Sequence, residues 1–187
     1  MTTVQKEIER KWKVKNLSAA QEAAFVVEKN AQGVIMHMEK PDVQYFLIRQ
    51  AYEGDRRIRL TTNSIGEFLS GEYTRKTGEG LERKEVTTTL SENYTRVRFG
   101  ELEDTGVQPI LKMRCRIPHG QYFIEYDSLF GLPVEMKDKY EDYVEIEFPS
   151  VEEANAFTDI PKWFGEEVTG QKEHNMASIF NMIQELK

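Results

Sequence analysis

Residues 110–117 read Ile-Leu-Lys-Met-Arg-Cys-Arg-Ile, and this stretch decides the fold. Successive side chains of a strand point to opposite faces, so residues two apart share a face at about 6.8 Å spacing. Lys112, Arg114 and Arg116 therefore line one face, and Leu111, Met113, Cys115 and Ile117 the other. A Pro118-His119-Gly120 turn follows, and Gln121–Ser128 returns as the second strand of a hairpin, with Glu125 and Asp127 on one face and Ile124 and Tyr126 on the other. The same two-faced pattern recurs outward along the chain. Arg57 and Arg59 alternate with Ile58 and Leu60, and Glu145 and Glu147 with Val144, Ile146 and Phe148. In a first strand from Gln5 to Val14, Glu7, Glu9 and Lys11 share one face. Val4, Ile8, Trp12 and Val14 share the other with Lys6 and Arg10.

Between these segments, strand signals continue at Gly33–Met38, Val43–Tyr52 and Arg56–Thr62, the last entered through a tight Gly54-Asp55 turn. Glu72–Thr77 and Glu82–Leu90 bracket a Gly78-Glu79-Gly80 connection. Helix signals are fewer. Ser18 reads as the N-cap of an Ala-rich helix of about three turns through Glu28 or Lys29, and Ser91 as the cap of a short helix through Phe99. Ser150 opens another short helix, and Asn175–Leu186 reads as a C-terminal helix with Met176, Ile179, Phe180 and Ile183 on one stripe. Eight or nine strands joined mostly by short turns predict a mainly β (α+β) chain, antiparallel and barrel-like. No repeat, low-complexity tract or linker interrupts it, so residues 1–187 read as a single domain.

Composition narrows the function classes. The 187 residues carry 25 Lys+Arg against 32 Asp+Glu, a net charge of −7, which argues against a generic nucleic-acid binder. No apolar run approaches the roughly 18 residues of a membrane-spanning helix. The N-terminus, MTTVQKEIERKWKVKN, has no apolar core of a secretory signal. The single cysteine, Cys115, forms no internal disulfide and suits a reducing compartment, so a cytoplasmic protein with no membrane partner is expected.

An ordinary solvated sheet face explains charge on any one strand. Two features argue for more. The charged faces hold almost only Lys, Arg, Glu and Asp, and their signs are segregated by strand: acidic at 125/127 and 145/147, basic at 57/59 and 112/114/116. That segregation points to a cationic and an anionic subsite facing each other across a closed sheet. A metal-bound polyphosphate requires both. Hard cations such as Mg²⁺ and Mn²⁺ take carboxylate oxygens, while guanidinium forks and ammonium groups hold the phosphates. His37, His119 and His174 show no metal-ligand spacing, with His119 read as solvated in its turn. Tyr45, Phe46, Tyr122 and Phe123 read as packing residues, and Glu166-Glu167 as solvated surface.

With these strands identified, Glu7-Ile8-Glu9-Arg10-Lys11 resembles the E-x-E-x-K signature of the CYTH superfamily, the triphosphate tunnel metalloenzymes. The likeness continues in order. Arg57-Ile58-Arg59 resembles the family's R-x-R strand, Lys76 the lysine of the next strand, and Arg83-Lys84-Glu85 its R-x-E. Lys112-Met113-Arg114, Glu125-Tyr126-Asp127 and Glu145-Ile146-Glu147 resemble its K-x-R, E-x-D and E-x-E strands. Val168-Thr169-Gly170-Gln171-Lys172 is similar to the C-terminal V-T-x-x-[KR] region, though His174 and Asn175 depart from the Tyr-Ser-Asn that ends it. The resemblance spans residues 5–185 and implies an eight-stranded antiparallel barrel, a tunnel with helices packed outside, with Trp12, Ile58, Met113 and Ile146 facing out.

By the same resemblance, Glu7, Glu9, Asp127, Glu145 and Glu147 are candidate ligands of Mg²⁺ or Mn²⁺, and Glu7, Glu9 and Lys11 candidate catalytic residues. Lys11, Arg57, Arg59, Lys76, Arg83, Lys112, Arg114, Arg116 and Lys172 are candidate holders of a small triphosphate. Glu85 and Glu125 fit either as ligands or as braces for the bases. The activity implied first is a metal-dependent triphosphatase acting on inorganic tripolyphosphate, with thiamine triphosphate second. A class IV-type adenylate cyclase and a non-catalytic polyphosphate- or nucleotide-binding module are the alternatives. Oligomeric state stays open, a homodimer included.

Overall fold

In the computed structural model, residues 1–78 and 80–186 are described; Glu79, the middle of the expected Gly78-Glu79-Gly80 connection, lies outside them. The chain runs β1 (Thr2–Val14), α1 (Leu17–Ala24), β2 (Phe25–Lys29), β3 (Ile35–Glu39), β4 (Gln44–Glu53), β5 (Arg56–Asn63), β6 (Phe68–Thr77), β7 (Glu82–Leu90) and α2 (Glu92–Asp104). It continues with β8 (Ile110–His119), β9 (Tyr122–Phe130), α3 (Lys137–Tyr140), β10 (Asp142–Glu147), α4 (Val151–Ala156), β11 (Phe164–Glu167), a 3₁₀ turn (Lys172–His174) and α5 (Met176–Glu185).

Eight strands close on themselves in the order β10-β9-β8-β4-β5-β6-β7-β1. Closure rests on the length of β1: Thr2–Ile8 pairs with β7, and Glu9–Lys13 pairs with β10. All pairings are antiparallel, as the short connections require. The expected eight-stranded barrel is therefore the fold. Two elements lie outside it. β11 extends the sheet beside the end of β1, with Trp12 opposite Glu167, and β2–β3 form a separate ribbon.

Several boundaries differ from the sequence reading, each for a local reason. Asn16, not Ser18, caps α1: its side-chain oxygen accepts from the Ala19 N–H at 3.1 Å. The helix ends at Ala24 instead of reaching Glu28 or Lys29, because Val26 and Val27 are β-branched and pair as strand with Met38 and His37. Ser91 does cap α2, which runs five residues past Phe99 to Asp104 and stops at Gly106, whose φ of 85° turns the chain. Glu166-Glu167 belongs to β11, and Glu167 accepts from Arg10 at 2.9 and 2.6 Å instead of standing free in solvent. His119 is the last residue of β8, its Nε2 3.0 Å from the Asp159 carbonyl.

Two apolar clusters flank the barrel. Trp12, Cys115, Tyr126, Val144 and Ile146 pack with Ala20 and Ala24 of α1 and Ala154 of α4. Ile58 and Leu60 pack with Phe99 and Leu102 of α2, and the same cluster takes in Ile179, Phe180 and Ile183 of α5. α5 also meets a residue of the inner face. Tyr52 lies opposite Arg57 in the β4–β5 ladder, so it faces inward, and its ring stands 5.4 Å from Phe180. Among the described residues no helix is long and apolar enough to cross a membrane.

Candidate active site

Strand alternation puts the charged faces inside, and register decides who meets whom. Arg114 lies opposite Asp127, Arg116 opposite Glu125 and Lys11 opposite Glu145. The segregated signs thus do not face each other only across the barrel; basic β8 lies beside acidic β9, and neighbours pair along the wall. Lys112 bonds Asp127 at 2.5 Å, with side chains 1% and 0% exposed. Arg114 donates to both Asp127 oxygens at 2.6 and 2.7 Å, to Glu145 at 2.8 Å, and to Glu125. Lys11 meets Glu145 at 3.0 Å.

On the opposite wall Arg57 donates to Thr74 at 3.2 Å and to Glu85 at 3.3 Å, and Arg59 to Gln50 at 3.2 Å. Lys76 donates to Glu7 at 2.5 Å, and Arg83 pairs with Glu7 at 3.2 Å and with Glu9. Glu85 and Glu125, whose roles the sequence left open, both accept from bases here. Arg116 stands nearer solvent, 4.0 Å from Glu125 and over the Phe123 ring. Lys172 is exposed on the 3₁₀ turn.

The five candidate metal ligands divide. Asp127 and Glu145 are held by Lys112, Arg114 and Lys11, and Glu7 and Glu9 also meet bases, Lys76 and Arg83; the division lies in which carboxylates meet one another. Glu7, Glu9 and Glu147 bring carboxylate oxygens within 4.8 Å of one another, and Glu9 lies directly opposite Glu147 in the β1–β10 ladder. Like charges placed opposite each other destabilise a sheet. Glu147 shows the strain: the barrel wall around its carboxyl, then Glu125 and Glu7, push its pKa up, although its surface opens to solvent. Oxygen-only donors, two opposed carboxylates and a buried Glu7 whose Oε2 has only the 3.2 Å ion contact with Arg83 fit a hard divalent cation.

Elsewhere the interior fixes charge states. Burial opposes ionisation of Glu145, but Lys11, Arg114 and Lys112 hold its pKa well below the usual carboxylate range. Burial likewise opposes ionisation of Asp127 and Glu7, which Arg114 with Lys112, and Lys76 with Arg83, respectively keep ionised. Burial and the neighbouring Arg114 push Lys112 down to about 7, against the pull of Asp127. Burial, Arg57 and Arg114 lower Arg59 to about 10.

One feature of this interior suits an anionic ligand. The buried side-chain polar atoms without a hydrogen bond, among the described residues, are Glu7 Oε2 and the Nε of Arg57, Arg59, Arg83 and Arg116. Each such orphan costs about 1–3 kcal/mol, and natural interiors keep few. All five belong to the charged lining. Four are guanidinium donors, so an anion with several oxygens would satisfy them.

Sequence reasoning missed the uncharged part of the wall. Register places Gln44, Phe46, Ile48, Gln50 and Tyr52 of β4 on the inner face, opposite Arg116, Arg114, Lys112, Arg59 and Arg57. Phe46, read as packing, is thus a lining residue. The signal was the uninterrupted apolar run Tyr45-Phe46-Leu47-Ile48, which puts apolar side chains on both faces of β4. Glu72, opposite Arg59, was also missed.

No protein-family model and no curated protein matches the chain. Solved structures do. The inorganic triphosphatase NE1496 aligns at TM-score 0.52 and 22% identity, over 92% of this chain and 93% of that one. A second structure of NE1496 aligns at TM-score 0.52 and 23% identity, over 92% and 96%. A "putative adenylate cyclase" from Bacillus halodurans aligns at TM-score 0.51 and 16% identity, over 82% and 86%. The closed antiparallel barrel that the CYTH resemblance implied is the fold of this chain, and that fold is shared with those proteins.

Proposed function

We propose that this chain is a divalent-metal-dependent triphosphatase of the CYTH superfamily, acting on inorganic tripolyphosphate first and thiamine triphosphate second. The observation that carries the reading is the juxtaposition of four orphaned guanidinium Nε donors with the opposed carboxylates Glu9 and Glu147 in one interior. An anion binder alone has no use for three carboxylates within 4.8 Å of one another. The triphosphatase activity of NE1496, which shares the fold, supports the same class.

Glu7, Glu9 and Glu147 would hold the cation, Mg²⁺ or Mn²⁺, which supplies Lewis acidity toward phosphate oxygens and toward water. The remaining work falls to the bases. Arg57, Arg59 and Arg83 present unused Nε donors, and Lys112 and Arg114 reach the interior from β8. They orient the phosphate chain and stabilise charge that grows on its oxygens during transfer. Lys11 sits on β1 two residues from Glu9, so it places an ammonium beside the anionic cluster.

Purified protein incubated with tripolyphosphate, thiamine triphosphate or ATP, with Mg²⁺ or Mn²⁺, tests this by identifying products. Orthophosphate from tripolyphosphate, abolished by excess chelator, is the expected result. Cyclic AMP and pyrophosphate from ATP would assign the cyclase reaction instead. Tight binding without turnover of any of the three would leave a binding module.

A further inference from the structure

We infer that His174 is a positioning residue for Lys11, acting through the ring of Tyr143. The inference rests on the tunnel reading above, which makes Lys11 a phosphate contact. Tyr143 lies on β10 two residues before Glu145, opposite Asp127 and Lys13, and is fully buried. The Lys11 ammonium sits 4.3 Å from its ring centroid and 3.0 Å from Glu145. Two contacts therefore fix the ammonium, a carboxylate and a ring face. A bound phosphate competes with the carboxylate for Lys11. It does not compete for the ring, which remains as the support.

The orientation of that ring is set at its far end. The Tyr143 hydroxyl stands 2.9 Å from Nδ1 of His174. His174 is 3% exposed in the 3₁₀ turn, between the rings of Tyr140 and Tyr143 at 5.6 and 5.8 Å. Its Nε2 points toward Glu173 at 3.8 Å. A proton on Nε2 leaves Nδ1 to accept from the tyrosine hydroxyl.

The test uses two readouts. Reductive ¹³C-methylation gives Lys11 an NMR signal, assigned by its loss in Lys11→Arg and displaced by the Tyr143 ring current. Titration calorimetry reads tripolyphosphate binding to the metal-free protein. His174→Phe keeps an aromatic ring and removes the acceptor; Tyr143→Phe keeps the ring under Lys11 and removes the hydroxyl. Either should move the Lys11 signal and weaken tripolyphosphate about tenfold, and the double variant should be no worse than the singles. His174→Asn, whose amide oxygen replaces Nδ1, should restore both. In a Lys11→Met background the His174 effect on binding should vanish.

An unmoved Lys11 signal in both single variants overturns the inference, as does an equal loss of affinity without Lys11. Tyr143→Phe carries the test if His174→Phe fails to fold. A wild-type protein that ignores tripolyphosphate, while its Lys11 signal still responds to His174→Phe, overturns the functional reading and supports the positioning.

Discussion

Asp127→Asn separates a metal ligand from a structural brace. The sequence reading made Asp127 a ligand; the structure surrounds it with Lys112 at 2.5 Å and two bonds from Arg114 at 2.6 and 2.7 Å, at zero exposure. Arg114 keeps Glu125 and Glu145 when Asp127 is neutralised, but Lys112 loses its ion-pair partner among the described residues. Removing one partner of a buried pair costs about 3–5 kcal/mol. Lys112, already pushed down to about 7 by burial and Arg114, can limit the cost by releasing its proton.

That escape gives the variant a pH signature. Below about pH 7 its unfolded lysine binds a proton that its folded lysine refuses. The penalty relative to wild type should therefore grow toward pH 5, by up to about 1.4 kcal/mol per unit. Urea unfolding followed by fluorescence of the buried Trp12 and Trp163 measures it. Asp127→Asn/Lys112→Met should recover most of the loss, since no buried charge is left over. A single variant within about 1 kcal/mol of wild type and flat with pH, but poor in Mn²⁺ binding, would refute the reasoning and restore Asp127 as a ligand.

The anionic trio should behave in the opposite way. Glu147→Gln relieves Glu9 and should leave metal-free stability equal or higher while weakening Mn²⁺ at least tenfold by calorimetry; a destabilised variant with unchanged Mn²⁺ affinity contradicts the assignment. Tripolyphosphate at 100 times its Kd should stabilise wild type by about 2.7 kcal/mol, and most of that gain should disappear in Arg59→Met, as thermal shift would show. For acid stability, Glu7, Asp127 and Glu145 titrate below their ordinary 4.5, 3.8 and 4.5 in the fold. Their stabilisation is present above those values and is lost as pH falls through the lowered ones, so urea midpoints should drop below about pH 4. Glu147, raised by its surroundings, works in reverse, losing stability as pH rises through its folded value. Midpoints that held to pH 3 would refute the lowered values.

How much was legible follows from what each signal depends on. Alternation is a local backbone property, so the inward charges on β1, β5, β8, β9 and β10 could be read directly. Register is not local. That Glu9 meets Glu147, while Glu145 meets Lys11, depends on β1 switching partners from β7 to β10 after Ile8, and no short window records the switch. The ligand set of five consequently divided only once strand pairing was known. The lining of β4 escaped because charge was the marker used, and Phe46 carries none. Capping was partly legible: Ser91 and Ser150 cap the helices they were expected to open, Asn175, read as the first residue of the last helix, is its cap, and Asn16 takes the role expected of Ser18.

The energetics of the interior bear on why it is built this way. Buried ion pairs are weak evidence of stability, and apolar residues of similar volume often serve a core as well or better. Here Trp12, Ile58 and Ile146 pack outside the barrel against helices, while most of the inner face, apart from β4 and a few residues such as Tyr143, is given to charge. In the metal-free chain most of the lining bases rest on a carboxylate, which keeps them ionised and oriented. A polyanion entering this interior does not meet free cations. On the proposed reading it would exchange with Glu145 at Lys11, with Glu85 at Arg57 and with Glu7 at Lys76, where the ion pairs now stand. Each carboxylate so released would be available to a cation, and on that reading anion binding and metal binding would be coupled in one interior. The proposed function therefore predicts that a polyanion and a cation bind with positive coupling, each tightening the other.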